Sequence, residues 1–93
     1  MTDSLTTITR VSVSSASTLT VQFSDGATGE VDLSALIARA TPMTAPLSDP
    51  SFFARVFLEQ GAPTWPNGFD LAPWAIYEDL KRAGRLHQPG RSA

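Results

Sequence analysis

Apolar and polar residues alternate along the first third of the chain, and the period changes at residue 32. Residues 6–15, TTITRVSVSS, are β-branched and alternate, with Val11 and Val13 on one face and Ile8 on the other, which predicts a strand. After a polar SAST turn, residues 18–24, TLTVQFS, place Leu19, Val21 and Phe23 on one face and Thr20 and Gln22 on the other. That is the pattern of an antiparallel strand with one face in water. Ser24-Asp25-Gly26 supplies the next turn, since aspartate accepts a local backbone bond and glycine takes a positive φ. Residues 28–33, TGEVDL, return as a third strand, and the three form a meander.

From Leu33 the spacing is helical. Leu33, Leu36, Ile37 and Ala40 form one apolar stripe, Asp32 or Ser34 can cap it, and Pro42 closes it. TPMTAPL reads as a loop. Ser48-Asp49-Pro50 then opens a short second helix, with proline at a position whose missing N–H costs nothing. Residues 55–59, RVFLE, alternate again, and after Gly61 residues 62–66, APTWP, make a fifth strand that its prolines confine to an edge.

The stretch WPNGFDLAPWAIY, residues 65–77, holds both tryptophans and the single tyrosine. It divides into a structural corner and one residue left over. Trp65 fills the core from the end of a strand. Pro66, Asn67 and Gly68 form a tight turn. Asp70 offers a carboxylate to the first turn of a last helix, and Pro73 stands near its start. The helix runs from about residue 72 to 83, with Gly84 as its stop. On a wheel at 100° per residue, Pro73, Ile76, Tyr77, Leu80 and Ala83 share the core side, whereas Trp74 lies more than about 120° from the centre of that cluster. Three readings of Trp74 stay open: it folds back over the preceding loop, it anchors a partner, or it borders a small-molecule pocket.

The expected fold is therefore α+β, a small antiparallel β-meander plus a second short β-hairpin, with two or three short helices packed on or beside the sheet. Residues 1–5 are expected as a flexible N-terminus, 6–84 as one domain and 85–93 as a flexible basic tail. A chain of 93 residues is one domain's worth.

Charge sharpens this picture. Residues 1–80 carry three arginines against all nine acids, and residues 81–93 carry Lys81, Arg82, Arg85 and Arg91 with no acid. An acidic body argues against a nucleic-acid groove. With no cysteine there is no disulfide scaffold, thiolate metal site or thiol nucleophile. No basic-then-apolar leader opens the chain and no apolar run is long enough for a membrane span, so a cytoplasmic location without membrane partners is the expectation.

Chemistry-bearing constellations are scarce. His87 has no second histidine or acid at ligand spacing. Asp25, Asp32, Asp49 and Asp70 each stand where a turn or cap wants a carboxylate, and Glu78 and Asp79 are solvated helix positions. No G-x-S-x-G, P-loop or G-x-G-x-x-G is present. No catalytic, cofactor-binding or metal-binding residue is expected, and the chain reads as a non-enzyme.

The order of motifs carries a resemblance. Phe23-Ser24-Asp25-Gly26, then Gly29 to Leu33, then Leu47 to Phe52, then Trp65 to Pro73 give F-x-D-G, G-x-V-D-L, L-x-D-x-x-F and W-P-N-G-x-D-L-x-P. Over about residues 8–80 the chain resembles the small bacterial family catalogued as domain of unknown function 2442. The resemblance implies an α+β fold similar to the N-terminal domain of an uncharacterised Nitrosomonas protein. It also implies a neighbouring small basic protein as partner, in a pair of toxin–antitoxin type. It carries no catalytic residues. Family members more often have a polar residue at the position of Trp74.

Two functions follow as expectations. One is an interaction module, antitoxin-like, that binds a small basic partner through Trp74; the acidic body would speed that encounter. The other is a small-molecule-sensing or regulatory domain with a pocket between the last helix and the sheet. A homodimer through the edge near Thr64 or through Trp74 is compatible with both.

Overall fold

Three strands follow one another as the turns dictate. The computed structural model describes residues 6–88, with β1 at Ile8–Ser15, β2 at Thr18–Phe23 and β3 at Thr28–Asp32 in one antiparallel sheet of order β1-β2-β3. Leu19, Val21 and Phe23 of β2 are buried to 1% exposure or less. The Asp25 carboxylate accepts from the Ala27 N–H at 2.9 Å and shapes the β2–β3 turn, with Gly26 at φ 90°.

The face of Ile8 differs from the simple alternation. Ile8 stands opposite Phe23, but the next paired residue on β1 is Arg10, opposite Gln22, so Thr9 is an extra residue in β1. This bulge resets the alternation. Ile8 thereby joins Val11 and Val13, which oppose Val21 and Leu19, on one face; Ile8 and Val11 reach the core from it, whereas Val13 near the far end stays exposed. Ile8 is 2% exposed.

Helices cover that side. α1 spans Ser34–Ala38 and is shorter than its apolar stripe, because Ala40 has φ 52° and leaves the helix. Asp32 accepts from the Ser34 N–H at 2.9 Å at its start. The loop that follows contains a 3-10 turn at Ala45–Ser48, which sinks Leu47 to 0% exposure. Thr41 and Thr44 bond each other's backbone and hydroxyl groups and so satisfy the buried Thr44. α2, Pro50–Phe53, is capped by the Asp49 carboxylate on the Ser51 N–H, and Phe53 enters the core.

β4 (Phe57–Glu59) and β5 (Ala62–Thr64) form a separate antiparallel hairpin. The Ile8 N–H donates to the Gly61 carbonyl at 2.8 Å, which ties the hairpin's tip to the start of β1. α3, Pro73–Arg82, packs against the sheet by Ile76 and Leu80, both buried. Gly29 permits this approach, because a Cβ there would stand 2.7 Å from Leu80 Cδ1.

Contacts with the sheet continue past residue 84. The Arg85 N–H donates to the Leu80 carbonyl, Leu86 packs on the core, and His87 exchanges two backbone hydrogen bonds of 2.8 and 2.9 Å with Thr28. His87 thus forms an isolated antiparallel bridge at the free edge of β3. The reason is that an unpaired edge offers backbone partners to any adjacent segment. Of the expected tail, residues 89–93 lie outside the described residues, as do residues 1–5.

Candidate functional site

The corner at residues 65–73 is built around Trp65. Its ring is fully buried, between Phe53 and Phe69 at centroid distances of 5.8 Å each. Its indole Nε1–H donates to the Phe53 carbonyl at 3.0 Å, so the polar edge of the ring is satisfied. Trp65 follows β5 rather than lying in it. Its carbonyl accepts from the Gly68 N–H and its N–H donates to the Phe69 carbonyl, which closes the Pro66-Asn67-Gly68 turn. Gly68 has φ 91°, as the turn requires. Asn67 fixes the turn twice: Oδ1 accepts from the Phe69 N–H, and Nδ2 donates to the Met43 carbonyl at 3.1 Å.

Asp70 does not cap α3. Its backbone pairs with Thr64 in an isolated antiparallel bridge, and α3 begins at Pro73 after Ala72 with no side-chain cap. Proline at the first helical position makes a cap dispensable by fixing φ and removing one orphan donor.

Trp74, next in sequence, is 57% exposed, on the helix side that the wheel places away from the core. It does not bury itself over the preceding loop. Tyr77 does more than fill core volume. Its ring meets Phe23 edge to face at 4.9 Å, and its hydroxyl donates to Asp25 Oδ2 at 2.7 Å. Gln88 adds a longer bond of 3.4 Å to the same hydroxyl. The hydrogen bond from Tyr77 is the main cause that holds the Asp25 carboxyl below its ordinary pKa, and the same bond raises that of Tyr77. This pair has no local sequence signature, because its members are joined only by packing.

A second feature lies on the other side of α3. A trough of about 400 Å³ runs between α3, β3 and α1. Leu33, Leu36, Leu71, Ile76 and Leu80 supply apolar surface, and Ala72, Ala75 and Ala83 leave room along α3. Glu30 and Asp32 stand on one wall and Asp79 on the other, with Arg85 at the margin. The sequence pattern predicts Asp32 or Ser34 as a cap and Asp79 as a solvated position, and nothing local marks Glu30. Asp32 is not the N-cap of α1, which is Leu33 without a side-chain cap, but its carboxyl accepts from the Ser34 N–H and is held below the ordinary value, first by that backbone bond and also by the Ser34 side chain and the charge of Arg85.

Of the four aspartates expected at turns and caps, three make local backbone bonds and Asp70 does not. Asp25, Asp32 and Asp49 each accept a backbone N–H two residues on. Among the described residues no group of three or more histidines, cysteines and acids could hold a metal ion, and no helix is long and apolar enough to cross a membrane.

A search of curated proteins and a search of solved structures each found no match to the chain. The model of a family described as protein of unknown function (DUF2442) matches residues 8–82, the meander, the corner and α3 together, and the chain belongs to that family.

Proposed function

We propose that this chain is a non-enzymatic protein-interaction module that binds a small basic partner, with antitoxin-like neutralisation as its role. The observation that carries the reading is Trp74. A large aromatic ring, 57% exposed and held at the start of a ten-residue helix, presents apolar area at little entropic cost. The acidic body around it favours a cationic partner in encounter and register. A homodimer through Trp74 would bring two acidic bodies together and is disfavoured by the same charge.

The test is a pull-down with tagged wild type and Trp74→Ala from lysate of the source organism, after circular dichroism has shown both to fold. Wild type should retain a small basic protein that the variant loses, with an association rate that falls as salt rises. Retention of nothing by either form, or a rate flat across salt, removes the reading.

The trough favours a second reading, a small-molecule-sensing domain, since an apolar cleft with polar groups at its margin is the usual form of a ligand site. Ligand-dependent melting that Ala75→Phe abolishes would support it. Compounds that shift both forms equally would not.

A further inference from the structure

We infer that the trough between α3, β3 and α1 receives an amphipathic helix with basic flanks, a docking mode that rests on the protein-interaction reading. The lining along α3 runs from its N-cap Ala72 to its C-cap Ala83. At 1.5 Å per residue that is roughly 16 Å, about three turns of a helix. A lining that follows α3 for about three turns suits a rod better than a compact molecule. The α3 residues that line the trough fall at 72, 75, 76, 79, 80 and 83, the spacing of one helical stripe. Three of them are alanines, which let a second helix axis come close, within the usual 8–10 Å. An occupant with apolar anchors at i, i+3, i+4 and i+7 would fill it.

Charge names the flanks. Three acids, Glu30, Asp32 and Asp79, stand on the walls, against one base, Arg85. Asp79 also pairs with Arg82 at 3.7 Å, but both side chains are about three-quarters exposed, and such a pair yields readily to a competitor. Lysines or arginines on both shoulders of the incoming helix would meet a carboxylate on each wall. A second copy of this chain is a poor occupant, because its own α3 sets Glu78 and Asp79 beside Lys81 and Arg82 and so offers no net positive charge to the acidic walls. The trough lies about 170° around α3 from Trp74, so the two surfaces are separately testable.

The probe is a synthetic 14-residue helix with a leucine stripe at those spacings and lysine flanks, and its match with glutamate flanks. Fluorescence anisotropy would measure binding to wild type, to Glu30→Lys/Asp79→Lys, and to Glu59→Lys/Glu78→Lys, which changes net charge equally away from the trough. The lysine peptide should bind wild type and the glutamate peptide should not. Reversal in the trough should weaken binding about tenfold, and the control pair by less than about threefold. Amide shifts should centre on Leu36, Ala75 and Ala83. Glu30→Gln/Asp79→Asn should give an intermediate loss without the new lysines. Equal weakening by both reversals, shifts centred on Trp74, or no saturable binding would overturn the inference. A basic lysate partner retained by the trough variant but lost by Trp74→Ala would end this docking mode and leave the interaction reading standing.

Discussion

The Tyr77 hydroxyl donates to Asp25 Oδ2 at 2.7 Å, joining α3 to the β2–β3 turn between residues 52 positions apart. The bond is charge-assisted but solvent-reachable, so its worth is that of a screened interaction, about 0.5–1 kcal/mol. Tyr77→Phe should lower stability by that amount at neutral pH and leave the packing on Phe23 intact. The pH dependence has two limbs. Asp25 is lowered from 3.8, so its contribution is full above that value and is lost as pH falls through the lower folded value. Tyr77 is raised from 10.0, so its contribution is full below that value and is lost as pH rises through the higher folded value. Urea titrations across pH should show the gap between wild type and Tyr77→Phe widest between these two ordinary values. A gap that persists undiminished in acid would contradict the pairing.

Trp65 should be the most costly aromatic to remove. Trp65→Ala deletes a fully buried ring and should cost about 3–5 kcal/mol. Trp65→Phe keeps most of the apolar area but leaves the Phe53 carbonyl without its 3.0 Å donor, and should cost about 1–3 kcal/mol. Denaturant midpoints with unchanged slope would read both.

Gly61 and Gly68 separate backbone strain from steric conflict. Both have positive φ, at 81° and 91°. A Cβ at Gly61 would stand 2.5 Å from Thr7 Cβ, whereas at Gly68 nothing lies within 4 Å. Gly68→Ala should therefore cost about 1 kcal/mol, from φ alone. Gly61→Ala should cost clearly more and loosen the bond between Ile8 and Gly61. Thermal melts, with amide exchange at Ile8, would show the difference.

Ending the chain after Gly84 should destabilise it by about 1–2 kcal/mol. The truncation removes two backbone hydrogen bonds to Thr28 and the packing of Leu86. Faster amide exchange at Thr28 should accompany the loss. A truncated form as stable as the full chain would mean that residues 85–88 contribute nothing.

Trp74→Ala should change stability by no more than about 0.5 kcal/mol, since the ring is 57% exposed. The contrast with Trp65 makes the two tryptophans a matched pair: one is buried in the core, and the other is exposed on α3.

Local patterns determined much of this protein. The alternation of Leu19, Val21 and Phe23 set the buried face of β2, because a strand's side chains can only alternate. Asp49-Pro50 set the start of α2, and Pro66-Asn67-Gly68 set a turn, because caps and turns act within a few residues. The side of α3 that faces the core followed from its spacing, which also left Trp74 outside. Tertiary structure decided the rest. Thr9 forms a bulge because β1 must put Ile8 opposite Phe23, a constraint that exists only once β2 is alongside. Asp70 gives its backbone to Thr64 rather than its carboxylate to α3. His87 leaves the expected tail because the edge of β3 is open to it. The bond from Tyr77 to Asp25 and the carboxylates of Glu30, Asp32 and Asp79 around one trough depend on where α3 comes to rest. Short-range chemistry writes the elements and their faces into the chain, but residues distant in sequence meet only through packing, and the surfaces that could receive a partner are made there.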